Sequence, residues 1–267
     1  MADLDKRLNA GEEEDASHVR FSTGCFPKMS GAPSTVPFLF LLQAVFVIVV
    51  TIETEKANRI SPTESWHVFG LLIILGAWGV LSTIFALRDS YQSPHCLKSF
   101  PGVWLPLLPL VICLVYYSAS DQLRSALKGI VAHTDAKWFV LIQGLRVLAV
   151  GTVIKTFSRK FPKWFGLIVG SLDMLYGISA WILFVVLAEG SSVSNRALFI
   201  WHLLGVLVIV PPAPLMMQLS LPGLNVIESD PPMSSVFAYP MALAPSLVVP
   251  MFVGLNLLIV WRTGVKL

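Results

Sequence analysis

Residues Trp138–Leu187 read WFVLIQGLRVLAVGTVIKTFSRKFPKWFGLIVGSLDMLYGISAWILFVVL. Two long apolar runs flank a short basic loop, Ser158-Arg159-Lys160-Phe161-Pro162-Lys163, the pattern of two membrane helices joined by a tight turn. Arg146 lies inside the first run and Asp173 inside the second. An ionisable side chain at membrane depth is costly, so it faces the bundle interior and finds a partner. The hairpin supplies one. Counted from the loop centre, Arg146 is about 14 residues up one helix and Asp173 about 12 up the other, so at ~1.5 Å per residue their depths differ by roughly 3 Å.

The same reading extends outward to the whole chain. Hydrophobic residues make up 55% of it and charged residues only 13%, against a usual charged share of about 25%. Apolar runs recur near 37–53, 66–87, 101–118, 136–157, 164–188, 197–218 and 237–261. The expected fold is therefore all-α, a polytopic integral membrane bundle of about seven transmembrane helices. Residues 1–35, with Glu12-Glu13-Glu14-Asp15 and a Ser/Gly/Pro-rich end, read as a disordered polar tail. Residues 36–267 form the membrane domain. Pro211, Pro212 and Pro214 mark a break in the sixth run, and Pro240, Pro245 and Pro250 a bend in the last.

Charge and cysteine content exclude several classes. A net charge of +3 spread over loops gives no case for a nucleic-acid partner, and three scattered cysteines make neither a disulfide framework nor a zinc site. The basic cluster Lys155, Arg159, Lys160 and Lys163 puts the N-terminus in the cytosol, because short loops count most in orientation. The partners expected are the lipid bilayer and a lipophilic small molecule, and protein partners are not legible. No metal and no cofactor are expected. No lysine sits in the middle of the seventh run for a retinal Schiff base.

Candidate site residues cluster around the opening stretch. Gly166, Gly170, Asp173 and Gly177 fall at spacings of four, three and four on one helix face, where small residues let another helix approach closely. Gln143 and Arg146, three apart, share a face of the preceding helix. Two readings stand: a packing seam with a structural ion pair, or a polar pocket that handles a proton, an ion or a substrate head group. An internal echo adds two histidines. Trp66-His67-Val68-Phe69-Gly70 and Trp201-His202-Leu203-Leu204-Gly205 both fit W-H-x-x-G. Runs 1–3 and 5–7 are then candidate parallel repeats around a linking fourth, a layout used by transporters. Each histidine is either an acid/base group or an interfacial residue beside its anchoring Trp. Glu64, Glu189, Glu228 and Asp230 are further candidate acids at helix ends and in a Pro-rich loop. Aromatic residues such as Tyr176 and Trp201 are belt or core residues, or line a cavity that stabilises a passing cation.

Several motifs carry a resemblance. Gln143-Gly144-Leu145-Arg146-Val147, Phe161-Pro162-Lys163-Trp164-Phe165-Gly166, Gly170-Ser171-Leu172-Asp173, Trp201-His202-Leu203-Leu204-Gly205 and the closing Tyr239–Pro250 segment resemble a signature of small bacterial multi-pass membrane proteins of unknown function, over roughly residues 138 to 258. That pattern has Asn at the place of His202 and Asp at the place of Val208, so nothing done by that Asp carries over. In size, layout and its acidic Ser-rich tail the chain is similar to the membrane-bound terpene cyclases of fungal ascofuranone and ascochlorin pathways. The resemblance implies an endoplasmic-reticulum enzyme of secondary metabolism, an isomerase or lyase acting on an epoxidised farnesyl chain attached to an aromatic head. The Trp-Glu signature of the other large group of fungal membrane cyclases is missing.

The resulting expectation is a meroterpenoid cyclase with Asp173, Arg146 and His202 as catalytic residues and Gln143, Tyr176, Trp201 and His67 around the substrate. The alternatives are a small 3+1+3 transporter and an accessory subunit of a membrane complex.

Overall fold

The computed structural model describes residues 34–222 and 224–264, and every described regular element is helical. Seven helices are long and apolar enough to cross a bilayer. They are α1 (Val36–Lys56), α2 (Pro62–Leu87), α3 (Pro101–Ala119), α5 (Ala136–Phe157), α6 (Lys163–Ala188), α7 (Asn195–Leu219) and α8 (Ala244–Gly264). The eighth, α4 (Asp121–His133), is of a different kind. The expected polar tail lies outside the described residues apart from Ser34 and Thr35.

Local chemistry sets the helix ends. Ser61 opens α2 with a reciprocal cap: its hydroxyl accepts from the Glu64 N–H at 3.3 Å, and the Glu64 carboxylate accepts from the Ser61 N–H at 2.6 Å. Pro62 occupies the first turn, where its missing N–H costs nothing. The short helix α4 buries Leu123, Ala126, Ile130 and Val131 along one stripe and turns charge to the other side. Arg124 on α4 donates to the Tyr117 and Ser118 carbonyls at 3.0 and 2.7 Å. It thereby caps the C-terminal end of α3.

Helix α8 is the axis of the bundle. In its most apolar window 61% of the residues are buried, against 17–39% in the other six. Prolines in a buried helix free backbone carbonyls, and these need donors from neighbours. Pro250 leaves the Ser246 carbonyl without its helical N–H, and Trp78 Nε1 on α2 supplies one at 2.8 Å. Next to the π-helical turn Ala244–Val248, Gln43 Nε2 on α1 donates to the Val248 carbonyl at 3.1 Å. Gln143 Nε2 on α5 donates to the Phe252 carbonyl at 3.4 Å. Three helices are thus tied by side chains to one backbone.

The structure moves one boundary and shows the break expected in the sixth run. The last span begins at Ala244, not near residue 237, because residues 233–243 fold into a short turn and loop that buries Met233, Val236 and Phe237 against the bundle end. An apolar loop tucked into a core has the hydropathy of a span, so composition alone merges the two. The sixth span breaks where its prolines stand: regular helix ends at Leu207 and resumes at Pro212.

Large apolar side chains cover the outer faces, among them Leu41, Ile73, Leu114, Ile182 and Leu215, each more than half exposed.

Candidate functional site

The site is built where α5, α6, α7 and α8 meet. Helix α5 winds more tightly over Gly144–Ala149, a 3-10 segment that carries Arg146. Helix α6 carries a π-helical turn over Gly166–Gly170, after its first turn and just before Asp173. Such irregular turns alter which way side chains point and are frequent at functional sites. The two helices approach closely on the glycine face. A Cβ on Gly177 would lie 2.2 Å from the Val147 nitrogen and 2.7 Å from the Arg146 carbonyl carbon. Only hydrogen at that position lets α6 rest on the backbone that presents Arg146.

Arg146 and Asp173 form an ion pair, Nε to Oδ1. The Arg146 side chain is 1% exposed and the Asp173 side chain 16%, so the guanidinium is sealed while one edge of the carboxylate stays accessible. Burying a guanidinium is costly unless its donors are satisfied. Nη1 donates to the Gly205 carbonyl at 2.9 Å, and the guanidinium carbon sits 4.3 Å from the centre of the Tyr176 ring, within cation–π range. Nη2 has no partner.

Behind the ion pair runs a chain of amides whose polarity is set by one backbone group. The Phe252 carbonyl can only accept, so Gln143 presents Nε2 to it and turns Oε1 toward Asn256. Asn256 Nδ2 donates to that Oε1 at 3.2 Å, which leaves Asn256 Oδ1 as an acceptor. His202 Nδ1 lies 2.7 Å from Oδ1 and donates to it. A neutral imidazole carrying its proton on Nδ1 has a bare lone pair on Nε2. That Nε2 is buried with no partner. The Tyr176 hydroxyl lies 3.3 Å from both Asn256 Oδ1 and the Trp201 carbonyl and donates to one of them at a time. The Trp201 ring stacks on the Tyr176 ring at 4.5 Å.

In front of the ion pair lies an apolar cavity of about 260 Å³. Its walls include Phe161, Phe165, Val169, Ile209, Met241 and Val253, and Asp173 is the only ionisable side chain among its described lining residues. A carboxylate at an apolar void, backed by a fixed guanidinium, can exchange a proton with a bound molecule or stabilise positive charge on it.

Six of the seven residues singled out from sequence come together here. Asp173 lines the cavity, whereas Arg146, Gln143, Tyr176, Trp201 and His202 form the support behind it and are not among its lining residues. His67 lies elsewhere, half-buried on α2, with Nδ1 3.0 Å from the Tyr116 hydroxyl and 3.2 Å from the Ser120 hydroxyl. The cavity wall is mainly aliphatic, with Phe161 and Phe165 its aromatic members. Of the other candidate acids, Glu64 is engaged in the α2 cap, while Glu189, Glu228 and Asp230 are exposed. Sequence reasoning missed Asn256, the node of the amide chain, and Gly205, whose carbonyl holds the guanidinium. A lone amide inside an otherwise apolar span was the available signal.

The family model described as "Domain of unknown function (DUF8737)" matches residues 102–263, well over half of the chain and all four helices of the site. No curated protein and no solved structure matches.

Proposed function

We propose that this chain, which belongs to the DUF8737 family, is a multi-pass membrane enzyme that cyclises a lipophilic epoxidised terpenoid in the cavity beside Asp173. The observation that carries the reading is the pairing of an apolar cavity with one ionisable group among its described lining residues, whose counter-ion is fully buried. Such a site takes an apolar molecule and offers it one proton-transfer group. The likeness to fungal meroterpenoid cyclases names the substrate class.

In this reading Asp173 is protonated in the substrate complex and gives its proton to the epoxide oxygen as the C–O bond breaks, leaving a hydroxyl, a carbocation and the carboxylate that pairs with Arg146. Alkene π electrons of the same chain close the ring. The cyclised cation then loses a proton to the Asp173 carboxylate, which restores the acid. The reaction is a net isomerisation and consumes no co-reactant. Arg146 stabilises the carboxylate between the two transfers, and Tyr176 and the Gly205 carbonyl hold the guanidinium in place. Gln143, Asn256 and His202 keep that support in register. The aliphatic walls and Phe161 and Phe165 exclude water that would quench the cation.

The exposed apolar outer faces fit a bundle whose solvent is lipid. The endoplasmic reticulum, with the N-terminus and the Arg159–Lys163 loop in the cytosol, is the location that goes with this reading. The transporter and accessory-subunit alternatives have no comparable observation behind them.

The test is turnover of an epoxy-farnesyl phenol by microsomes carrying the full chain or its Asp173→Asn variant. Loss of cyclised product in the variant, at equal folded protein, is expected. Unchanged cyclisation removes Asp173 from the mechanism.

A further inference from the structure

A second void lies against the first. It is a groove of about 530 Å³ on the outer side of α2, α3 and α8, with Leu71, Leu75, Cys113, Leu114, Leu258 and Trp261 in its walls. None of its described lining residues carries a charge. Leu110 of α3 and Pro250 of α8 line both voids. The groove and the Asp173 cavity are therefore neighbours that share Leu110 and Pro250 in their walls.

We propose that the groove is the lipid-side entrance of the Asp173 cavity, and that it holds the tail of a long, linear, apolar substrate whose reactive end lies beside Asp173. The inference rests on the reading of that cavity as a substrate site and extends it to the shape of the substrate and the route by which it enters.

Size points this way. Pockets that enclose a drug-sized ligand run to about 300–1,000 Å³. The Asp173 cavity, at about 260 Å³, falls short of that range alone, whereas the groove, at about 530 Å³, lies within it. Because Leu110 and Pro250 border both voids, the groove is within reach of a molecule that is longer than the cavity. The chemistry of the walls points the same way. With no charged lining group, the groove offers nothing to a phospholipid head group and suits an uninterrupted hydrocarbon chain.

The divide can also open. On α3, Pro106 and Pro109 interrupt the helical hydrogen bonds just before Leu110. On α8, the π-helical turn Ala244–Val248 and Pro250 do the same. Leu110 is a half-buried side chain that can change rotamer without moving backbone.

The experiment is photolabelling of the full chain in microsomes with farnesol bearing a diazirine at its tail end, and with the same label on the short alcohol prenol, followed by peptide mapping. With the farnesol probe, adducts are expected on the α3 and α8 peptides that contain Cys113 and Leu257. A farnesol probe labelled near its hydroxyl end is expected to mark the α6 peptide that contains Phe165 and Val169. The prenol probe is expected to give no groove adducts that depend on cavity occupancy.

Leu110→Trp is expected to close the divide, reducing α6 labelling several-fold while groove labelling persists. Leu110→Ala is expected to raise α6 labelling, so a poorly folded Trp variant does not stand alone. Alpha6 labelling that is indifferent to both substitutions overturns the proposal. So does groove labelling that excess phosphatidylcholine abolishes, since the groove is then a lipid seat only. Asp173→Asn is expected to leave labelling in place. Intact labelling with unchanged turnover in that variant sinks the cyclase reading and keeps the entrance, whereas lost turnover without groove labelling does the reverse.

Discussion

Two segments of this protein begin with the same letters and end in different surroundings. On α2, Trp66 is 70% exposed and His67 half-buried, with Tyr116 and Ser120 of the α3 end as its neighbours. On α7, Trp201 stacks on Tyr176 and His202 is fully buried against Asn256. The glycines differ as well. A Cβ on Gly70 would sit 3.3 Å from the Tyr116 hydroxyl, whereas one on Gly205 would sit 2.2 Å from the Tyr176 hydroxyl and 2.7 Å from Asn256 Nδ2. Under a 3+1+3 repeat the neighbours correspond only in part. Gly70 faces the span that follows it, and Gly205 faces the spans on both sides of it. A shared W-H-x-x-G pattern thus reports helix-entry chemistry. A functional site also needs a helix that is surrounded, and α7 packs against the central helix α8 and against the helix that carries Asp173.

The sharpest way to break this contrast is to remove the charge that only the α7 side possesses. Arg146→Met leaves a carboxylate buried without its counter-ion and is expected to cost about 3–5 kcal/mol of stability. The double variant Arg146→Met/Asp173→Leu is expected to recover most of that loss, since an apolar pair of similar volume replaces the ions. Thermal unfolding in detergent micelles reads both. On the α2 side, His67→Met removes the contacts to the Tyr116 and Ser120 hydroxyls at a half-buried site, worth about 1 kcal/mol. Equal losses for Arg146→Met and His67→Met would erase the distinction.

The glycine pair gives the next largest difference. Gly205→Ala forces the Tyr176 hydroxyl and the Asn256 amide apart and is expected to destabilise by about 1–3 kcal/mol. Gly70→Ala asks for a shift of a few tenths of an ångström at one hydroxyl and is expected to stay within about 0.5 kcal/mol of the parent. Monodispersity after mild heating is a sufficient comparison. If both alanines are tolerated, the close packing of α7 on α6 is wrong.

A third comparison separates the histidines through their partners. Asn256→Leu strands the His202 Nδ1–H and the Gln143 carbonyl oxygen inside the bundle, at about 1–3 kcal/mol for groups left unsatisfied. Tyr116→Phe removes one partner of His67 but leaves the Ser120 hydroxyl, so a change below about 1 kcal/mol is expected. Hydrogen exchange at the α7 and α3 amides resolves which segment loosens.

Much of this site was legible before any coordinates. Arg146 and Asp173 stood inside apolar runs on either side of a short loop, and the depth argument brought them together as the ion pair now seen. The glycine face of α6 was legible for the same reason, since repeated small residues on one face of a long apolar helix announce a close neighbour. Asn256 was legible only as a lone amide in an apolar run, because its partners lie 54 and 113 residues away and nothing local names them. The helix α4 escaped because its stripe of buried residues sits between two longer apolar runs that dominate any hydropathy reading.

Taken alone, the sequence determined the helical class, the seven long apolar helices and the match between one cation and one anion. Each follows from what hydrocarbon does to a backbone polar group or a charge, and needs no long-range contact. Only the tertiary structure decided that α8 is the axis, that Asp173 has a void in front and a sealed guanidinium behind, and that one W-H-x-x-G segment is central while the other is peripheral. Those facts depend on which distant side chains reach the backbone carbonyls of α8 and on how close two glycines let their helices come, and spacing along the chain carries neither.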